Sequence, residues 1–303
     1  MATMTKVVVN RHWHRARRDG FPVAVMLLAA VVLWYAGAVW LNAAGAIERV
    51  LPQDTPWGWQ DLVAATLDMQ RPVLPTPHQV ALDFWSSLVD WPIDSPRNLL
   101  FHVAVTAEST LWGFVLGTLL GLVLAVLIVH SRTLDRALLP WIVASQTVPV
   151  LAIAPIVLVI LGSLGFSGVA PKAVIAMYLC FFPVTVAMVQ GLRSPQRIET
   201  EMMHTYAASR WQALWLLRLP ASLPFLFPAL RVGIAAGLVG AMVAELPTGA
   251  VAGLGARLLT GSYYGNTVQI WSALVMSALL GLTLTTVVAG IERLVLRRRG
   301  GQS

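Results

Sequence analysis

Residues 173–192 read AVIAMYLCFFPVTVAMVQGL, an apolar run that contains no Asp, Glu, Lys or Arg. An α-helix needs about 20 such residues to cross the hydrocarbon core of a bilayer. Two longer uncharged runs, 137–171 and 258–291, lie before and after it in the chain. The three runs therefore predict transmembrane helices.

The composition also indicates a membrane protein. Of the 303 residues, 57% are hydrophobic and 12% are charged, whereas about a quarter of the residues in a soluble domain are charged. The net charge of +7 does not indicate nucleic acid binding, because the basic residues cluster beside apolar runs as membrane anchors do. Cys180 is the only cysteine, which excludes a disulfide framework or a cysteine-based metal site within one copy.

The chain opens with a basic segment, 1–20, followed by an uncharged stretch at 21–41 that is long enough for a first transmembrane helix. A cleaved signal peptide is the alternative, since small residues at 44–46 resemble a cleavage site. The apolar stretch exceeds the roughly 7 to 15 residues of a signal-peptide core. We therefore expect an uncleaved helix that follows a cytoplasmic basic segment.

Residues 42–98 form a polar, proline-punctuated segment in which only short helices fit. We expect two such helices, near 57–69 and 78–89. The segment carries seven acidic and three basic residues. This shortage of positive charge is typical of an extracytoplasmic segment.

Five more apolar spans follow in a region, 99–298, that we interpret as the transmembrane core. They cover residues 99–129, 138–161, 173–191, 223–245 and 268–291. With the first span, the prediction is an all-α polytopic protein of six transmembrane helices that ends in a short tail, 299–303. An even helix count places both termini in the cytoplasm, together with fifteen of the 21 Lys and Arg residues.

No GxxxxGK(S/T) phosphate-binding loop occurs in the sequence, and no nucleophile and base stand at a recognisable spacing. We therefore expect that the chain is not an enzyme and that it binds no cofactor or metal itself. An ion-gradient-driven transporter or a channel is the alternative function, with Glu108 and Glu245 as its ion sites.

The loop at 192–222 is unusually long and apolar for a connection between two transmembrane helices. Trp211, Leu214 and Trp215 have the i, i+3, i+4 spacing of one apolar helix face, and Pro220 should end this helix. Amphipathicity alone leaves two alternatives open. The helix either rests at the membrane surface or docks into a soluble partner.

The same loop resembles the EAA loop of ABC importer permeases, whose pattern is Glu-Ala-Ala, three residues, Gly, nine residues, an aliphatic residue, any residue and Leu-Pro. In EMMHTYAASRWQALWLLRLP, residues 201–220, Glu201 takes the position of the Glu, Ala207 that of the Gly, and Leu219-Pro220 that of the Leu-Pro. Two methionines replace the two alanines. Because alanine does not adopt positive φ freely, we expect the turn at Ala207 to be looser than in the family or replaced by continuous helix.

The resemblance covers roughly residues 74–298 and is to the subfamily that serves sulfonates, taurine, nitrate, thiamine-precursor pyrimidines and riboflavin. It implies a type I ABC importer permease fold with a cytoplasmic coupling helix, located in the bacterial inner membrane. It also implies a second permease copy as a homodimer partner, two ATP-binding cassette ATPases that hold ATP and Mg, and an extracytoplasmic solute-binding protein. The residues that would contact the ATPase are Glu201, Met202, Met203, Tyr206, Ala207, Ser209, Trp211, Leu219 and Pro220.

Ionisable residues inside the spans cost several kcal/mol unless they face protein or water. We favour a structural pair or a helix-end anchor for Arg231 and Glu245, whereas for Glu108 a structural role and a place in the solute path are equally good interpretations. We expect a mostly apolar path near the dimer axis, which suits a small flat solute such as a nitrogen heterocycle better than a strong anion. The predicted lining of this path is Gln146, Tyr178, Glu245 and Glu108.

Pro149 and Pro155 lie inside the predicted third span and remove two backbone donors. The carbonyls of Ser145 and Leu151 then need partners from protein or water. A kink at this point either serves packing or turns Gln146 toward the solute path, and both alternatives are open.

Overall fold

The computed structural model describes residues 2–51, 56–247 and 252–298, and all regular secondary structure in these ranges is helical. The predicted all-α class is confirmed. In chain order the elements are α1 Ala2–Arg49, α2 Trp59–Leu67, α3 Pro77–Val89, α4 Leu99–His130, α5 Arg132–Ser145, α6 Val150–Ser163, α7 Val169–Leu192, α8 Arg197–Thr205, α9 Arg210–Ala213, a π-helical segment Leu214–Arg218, α10 Leu219–Glu245, α11 Leu254–Tyr263 and α12 Thr267–Arg298.

Five helical stretches of the described residues are long and apolar enough to cross a membrane. They are α1 from Phe21 onward, α4, α7, the continuous stretch Arg210–Glu245, and α12 as far as Arg297. α5 and α6 qualify only as a pair, and their axes are bent by 103° at the break between them. The described residues therefore contain six spans only if this bent pair counts as one.

The predicted third span is not one straight helix. α5 ends at Ser145, and α6 begins at Val150 after Pro149, whose backbone is extended at φ −62° and ψ 119°. A proline removes a donor and disfavours helical geometry in the residue before it, which explains the position of the break. The carbonyl of Ser145 accepts a hydrogen bond from the hydroxyl of Tyr178 on α7. A neighbouring helix therefore supplies the partner that the proline removed.

Side-chain caps fix where α4 and α5 begin. Asn98 precedes α4, and its Oδ1 accepts a hydrogen bond from the Leu100 nitrogen at 2.8 Å. Ser131 separates α4 from α5, and its Oγ accepts from the Leu134 nitrogen at 3.4 Å. Asn and Ser are among the residues best suited to satisfy the unpaired N–H groups of a first helical turn.

One of two compact units combines the described residues of three ranges: 2–51, 56–86 and 261–272. Within it, Asn42 of α1 holds the segment that precedes α3. Its amide donates to the Leu74 carbonyl at 2.9 Å, and its Oδ1 accepts from the Val73 nitrogen at 2.7 Å. The two short helices expected after the first span are confirmed as α2 and α3, while α1 continues beyond the predicted end at residue 41 to Arg49.

The second compact unit has α4, α7 and α10 at its centre. Three glycines of α4, Gly113, Gly117 and Gly121, recur at every fourth position and let the backbone of α7 approach closely. A Cβ on Gly113 would lie 2.3 Å from the Cβ of Ala176, and a Cβ on Gly117 would lie 2.8 Å from the Cβ of Cys180. Small residues at this spacing are a common means of close helix packing in membranes.

Candidate functional site

The loop that resembles the EAA motif begins with α8. The carboxylate of Glu199 accepts a hydrogen bond from the Gln196 nitrogen at 2.8 Å and so caps the first turn. At the other end, Ala207 has φ +53°, and the nitrogen of Ala208 donates to the Met203 carbonyl at 3.0 Å. This is the left-handed helix ending that glycine usually provides. The expectation of a looser turn or a continuous helix at Ala207 is therefore wrong.

A second cap starts α9 immediately after this turn. The Ser209 Oγ accepts from the Gln212 nitrogen at 3.2 Å, and the Gln212 Oε1 accepts from the Ser209 nitrogen at 2.8 Å. The chain then passes through the π-helical segment into α10 without interruption. Pro220 does not end the helix as predicted: it is the second residue of α10, directly after the π-helical segment, and the helix continues through it.

An apolar stripe runs along α8. Ile198, Met202 and Tyr206 are four residues apart, and their exposed fractions are 71%, 54% and 78%. Residues at this spacing lie on one helix face. Contiguous exposed apolar surface on a polar segment is a feature of interaction sites. The predicted contact residues do not include Ile198, although its four-residue spacing from Met202, and of Met202 from Tyr206, indicates a shared helix face.

The apolar face predicted for Trp211, Leu214 and Trp215 is not formed. Trp211 and Trp215 are 63% and 65% exposed, whereas Leu214 is buried in the core with Leu192 and Met188. Leu214 begins the π-helical segment and packs against the core, whereas the two tryptophans point away from it.

Glu201 is exposed on α8, and its Oε1 accepts a hydrogen bond from the Arg197 Nε at 2.6 Å. Exposed i, i+4 pairs of this kind contribute under about 1 kcal/mol. Glu201 can therefore easily exchange Arg197 for a charged residue of a partner. The other predicted contact residues, Met203 and Leu219, are half-buried.

A buried polar cluster lies where α10 ends. The Glu245 carboxylate is fully buried and accepts hydrogen bonds from the Thr106 hydroxyl at 3.0 and 3.1 Å and from the Gly255 nitrogen at 2.8 Å. The Lys172 Nζ of α7 lies 3.4 Å from the Glu245 Oε1. The structural ion pair expected for Glu245 is present, with Lys172 as its partner.

The segment between α10 and α11 is held by the same cluster. The Ala252 carbonyl accepts from the Lys172 Nζ at 3.2 Å, and the Gly253 nitrogen donates to the His102 Nδ1 at 3.0 Å. Gly253 has φ +128°, and a Cβ there would lie 2.2 Å from the Glu245 Cδ. Only glycine fits this position, because both the backbone geometry and the carboxylate exclude a side chain.

Arg231 also forms a structural ion pair. Its guanidinium pairs with the Glu292 carboxylate, so that the ion pair links α10 to α12. The Glu292 side chain is largely buried, which supports a role in holding the two helices together.

The predicted path residues are only partly brought together. Tyr178 donates to the Ser145 carbonyl, and Gln146 is exposed in the adjacent break, so these two lie in one region of the unit. Glu108 is exposed on α4, two residues beyond Thr106, which points to Glu245. Two residues correspond to about 200° around a helix, so Glu108 and Glu245 do not share a site. Their assignment to a solute path stays a prediction.

An apolar cavity of about 570 Å³ lies between α4, α6 and α7. Its wall is formed mainly by apolar residues, and Lys172 and Ala252 of the polar cluster lie at its edge. The lysine charge is already paired with Glu245. The cavity therefore presents apolar surface and no unpaired cation from Lys172.

These features define a multi-pass, all-α membrane protein with an exposed amphipathic loop outside its spans. Residues 117–301 match the family of binding-protein-dependent transport system inner membrane components, and the chain belongs to this family. It is the permease subunit of an ABC importer for small solutes and is not an enzyme, since ATP hydrolysis in such systems belongs to a partner subunit.

Three relatives show how far the similarity extends. The riboflavin transport system permease protein RibX of Chloroflexus aurantiacus is 34% identical over 278 residues, 92% of this chain and 89% of its own length. The formylaminopyrimidine transport permease protein ThiX of Halalkalibacterium halodurans is 31% identical over 243 residues, 79% of this chain and 91% of its own length. The putative aliphatic sulfonates transport permease protein SsuC of Bacillus subtilis is 27% identical over 227 residues, 75% and 78% of the two chains.

Proposed function

We propose that this permease imports a small, flat, polar organic solute of the nitrogen-heterocycle class and couples to its ATPase through α8, α9 and the turn at Ala207. The observation that carries the coupling role is the exposed apolar stripe of Ile198, Met202 and Tyr206 beside that turn. A short helix with such a stripe suits a groove in a soluble partner. The side-chain caps at the starts of α8 and α9 fix the geometry of these helices before the partner binds.

The assembly we propose contains a second copy of this chain, two ATPase subunits that bind ATP and Mg, and an extracytoplasmic solute-binding protein. Closure of the ATPases would move α8 and α9, and the spans would reorient by alternating access. Solute and nucleotide shift this equilibrium only through their different affinities for the two states. Because α9 continues into α10 as one helix, a displacement of the loop passes directly into a span.

Two observations support a neutral heterocycle over a strong anion. The relatives named for riboflavin and formylaminopyrimidine are 34% and 31% identical, against 27% for the sulfonate relative. The Lys172 ammonium at the edge of the apolar cavity is neutralised by Glu245, so it is not available to a sulfonate. The exposed amide of Gln146 offers a donor and an acceptor, and the oxygen of Tyr178, whose proton is donated to Ser145, offers a further acceptor for a flat heterocycle.

The coupling role is tested with Ala207→Asp. Aspartate tolerates positive φ, so the turn survives while a charge enters the proposed interface. We expect loss of co-purification with the ATPase and loss of solute uptake by proteoliposomes that contain the complete importer. Thr133→Asp, an equally exposed change on α5, is the matched control and should leave both intact. Full assembly and uptake in Ala207→Asp would refute the proposal.

The solute class is tested in the same proteoliposomes. We expect saturable uptake of riboflavin or of a formylaminopyrimidine and no saturable uptake of an alkanesulfonate. The opposite preference would reverse the proposed solute class without affecting the coupling role.

The proposed orientation has both termini in the cytoplasm. In a Cys180→Ser background, Asp83→Cys should react with an impermeant thiol reagent added outside intact cells, and Ser303→Cys should not. Labelling of position 303 from outside would overturn this orientation.

A further inference from the structure

A second cavity, of about 690 Å³, lies between the end of α4, the start of α5 and the loop that contains α8 and α9. Its wall is strongly basic, and none of the described residues that line it is acidic. The basic residues that line it are His130, Arg132, His204, Arg210 and Arg218. Such a concentration of positive charge in a concave surface attracts anions.

The three arginines of this cavity have no ion-pair partner among the described residues. The nearby carboxylates are engaged elsewhere. Asp135 pairs with Arg193 at 2.9 Å, Glu201 pairs with Arg197, and Glu199 caps α8. The positive charge of the cavity is therefore not compensated by the described part of the chain.

The cavity borders the end of the span formed by α4. His130 is the last residue of α4, and Arg218 immediately precedes α10. Trp211 stacks on His130 with ring centroids 5.6 Å apart, yet 63% of its surface is exposed, and Trp215 is equally exposed. Exposed tryptophans next to basic residues are typical of the headgroup layer of a membrane.

The chemistry of the lining selects a phosphate group. Arginine presents a planar set of donors that matches phosphate oxygens, and three arginines line this cavity, one each from α5, α9 and the π-helical segment. Apolar lining residues, Val129, Ala208 and Ala213, add surface that suits the glycerol and the start of an acyl chain. A free phosphate ion would gain nothing from this apolar part.

We propose that this cavity binds the phosphate headgroup of an anionic phospholipid of the inner leaflet, with phosphatidylglycerol as the test lipid. The inner leaflet assignment rests on the orientation proposed above, whereas lipid binding itself does not depend on it. The bound lipid bridges Arg132 on α5 and Arg210 on α9. It therefore holds the proposed coupling loop against the ends of the spans.

The test titrates the purified full-length chain, in a neutral detergent, with short-chain phosphatidylglycerol and follows tryptophan fluorescence, to which Trp211 contributes. We expect saturable binding that weakens by about five-fold in each of Arg132→Gln and Arg210→Gln. Both side chains are exposed, so these variants should fold, and unchanged melting without lipid verifies this. Arg136→Gln, an exposed arginine on α5 outside the cavity, is the matched control and should bind as the unmodified chain does.

Three results would overturn the proposal. One is equal binding by Arg210→Gln and Arg136→Gln. Another is inorganic phosphate competing as well as the lipid, which would assign the cavity to a free anion. The third is loss of lipid binding when the ATPase is bound, which would assign the cavity to an acidic surface of that partner. Co-purification of Ala207→Asp with the ATPase is a separate measurement, so failure of the lipid proposal and failure of the coupling proposal can be told apart.

Discussion

The Nζ of Lys172 lies 3.4 Å from the Oε1 of Glu245, and both side chains are buried, so one ion pair joins the start of α7 to the end of α10. The same carboxylate holds the segment that follows α10 through the nitrogen of Gly255. A buried pair of this kind is weak evidence for stability as a whole, but removal of one partner leaves an uncompensated charge. This asymmetry gives the first prediction.

Lys172→Met should destabilise the protein by about 3–5 kcal/mol, because the Glu245 carboxylate loses its counter-ion inside the protein. The double variant Lys172→Met with Glu245→Met should recover part of this loss. Thermal melting of the purified chain measures both. Arg197→Gln breaks the exposed pair with Glu201 and should change stability by under about 1 kcal/mol. Equal losses in Lys172→Met and Arg197→Gln would contradict the structural role of the buried pair.

Gly253→Ala should cost about 3 kcal/mol, since a Cβ meets the Glu245 carboxylate and the backbone has φ +128°. Gly265→Ala is the matched control. Its φ is +64°, but no neighbouring atom of the described residues lies within 4 Å of its Cβ position, so only backbone strain of about 1 kcal/mol should appear. The two melting temperatures should therefore differ clearly, and similar values would show that the carboxylate moves aside.

Ala207→Gly should stabilise the protein by about 1 kcal/mol, because glycine adopts φ +53° without the strain that alanine carries there. Solute uptake by the complete importer should be retained, since the shape of the turn does not change. Ala208→Gly provides the comparison, because Ala208 has no positive φ and glycine only adds disorder to the unfolded chain. A lower melting temperature for Ala207→Gly would show that the turn is not strained.

Gly113→Ala should cost about 1–3 kcal/mol, since the new methyl group would overlap Ala176 and the Ala173 carbonyl of α7. Gly290→Ala on α12 should instead stabilise the protein. In the part of the chain that the structure describes, no neighbouring atom lies within 4 Å of a Cβ at that position, and alanine is a better helix former than glycine by about 1 kcal/mol. Melting of the two variants in the same detergent checks the prediction, and equal behaviour would exclude a close contact between α4 and α7.

Tyr178→Phe should cost about 1–2 kcal/mol, because the Ser145 carbonyl at the break loses the hydroxyl donor and keeps only the long 3.4 Å hydrogen bond from the Val148 nitrogen. Tyr206→Phe removes an exposed hydroxyl and should leave stability unchanged. If Tyr178 also lines the solute path, uptake measured with Tyr178→Phe and with Gln146→Ala should show an altered KM. Reduced stability with unchanged uptake kinetics in both variants would show that Tyr178 stabilises the break between α5 and α6 and does not line the solute path.

Much of this architecture was predictable because the signals are local. Apolar runs of about bilayer length indicated the spans, and the fixed spacing from Glu201 to Pro220 indicated the family to which the chain belongs. Pro149 marked the place where α5 and α6 separate. The fourfold spacing of Gly113, Gly117 and Gly121 was a further local signal, and it would have predicted a close helix contact.

Two predictions for the loop were wrong, because they depend on how its turns close and pack. Ala207 adopts positive φ because two backbone hydrogen bonds close the end of α8 around it, and these outweigh the cost to one residue. Leu214 is buried with Leu192 and Met188 while Trp211 and Trp215 stay exposed, which depends on how the loop packs against α7. Neither feature has a reliable signature in the order of residues.

The sequence by itself determined that this chain spans a membrane, where its spans lie and which loop resembles an ATPase contact, since length, apolarity and motif spacing are properties of contiguous residues. Only the tertiary structure decided that Lys172 is the partner of Glu245, that Thr106 completes their site and that Gly253 closes over it. These residues lie on three helices, α4, α7 and α10, and on the loop that follows α10. Their pairing follows from the packing of α4, α7 and α10, because a buried charge must find its counter-ion in whatever helix packs beside it.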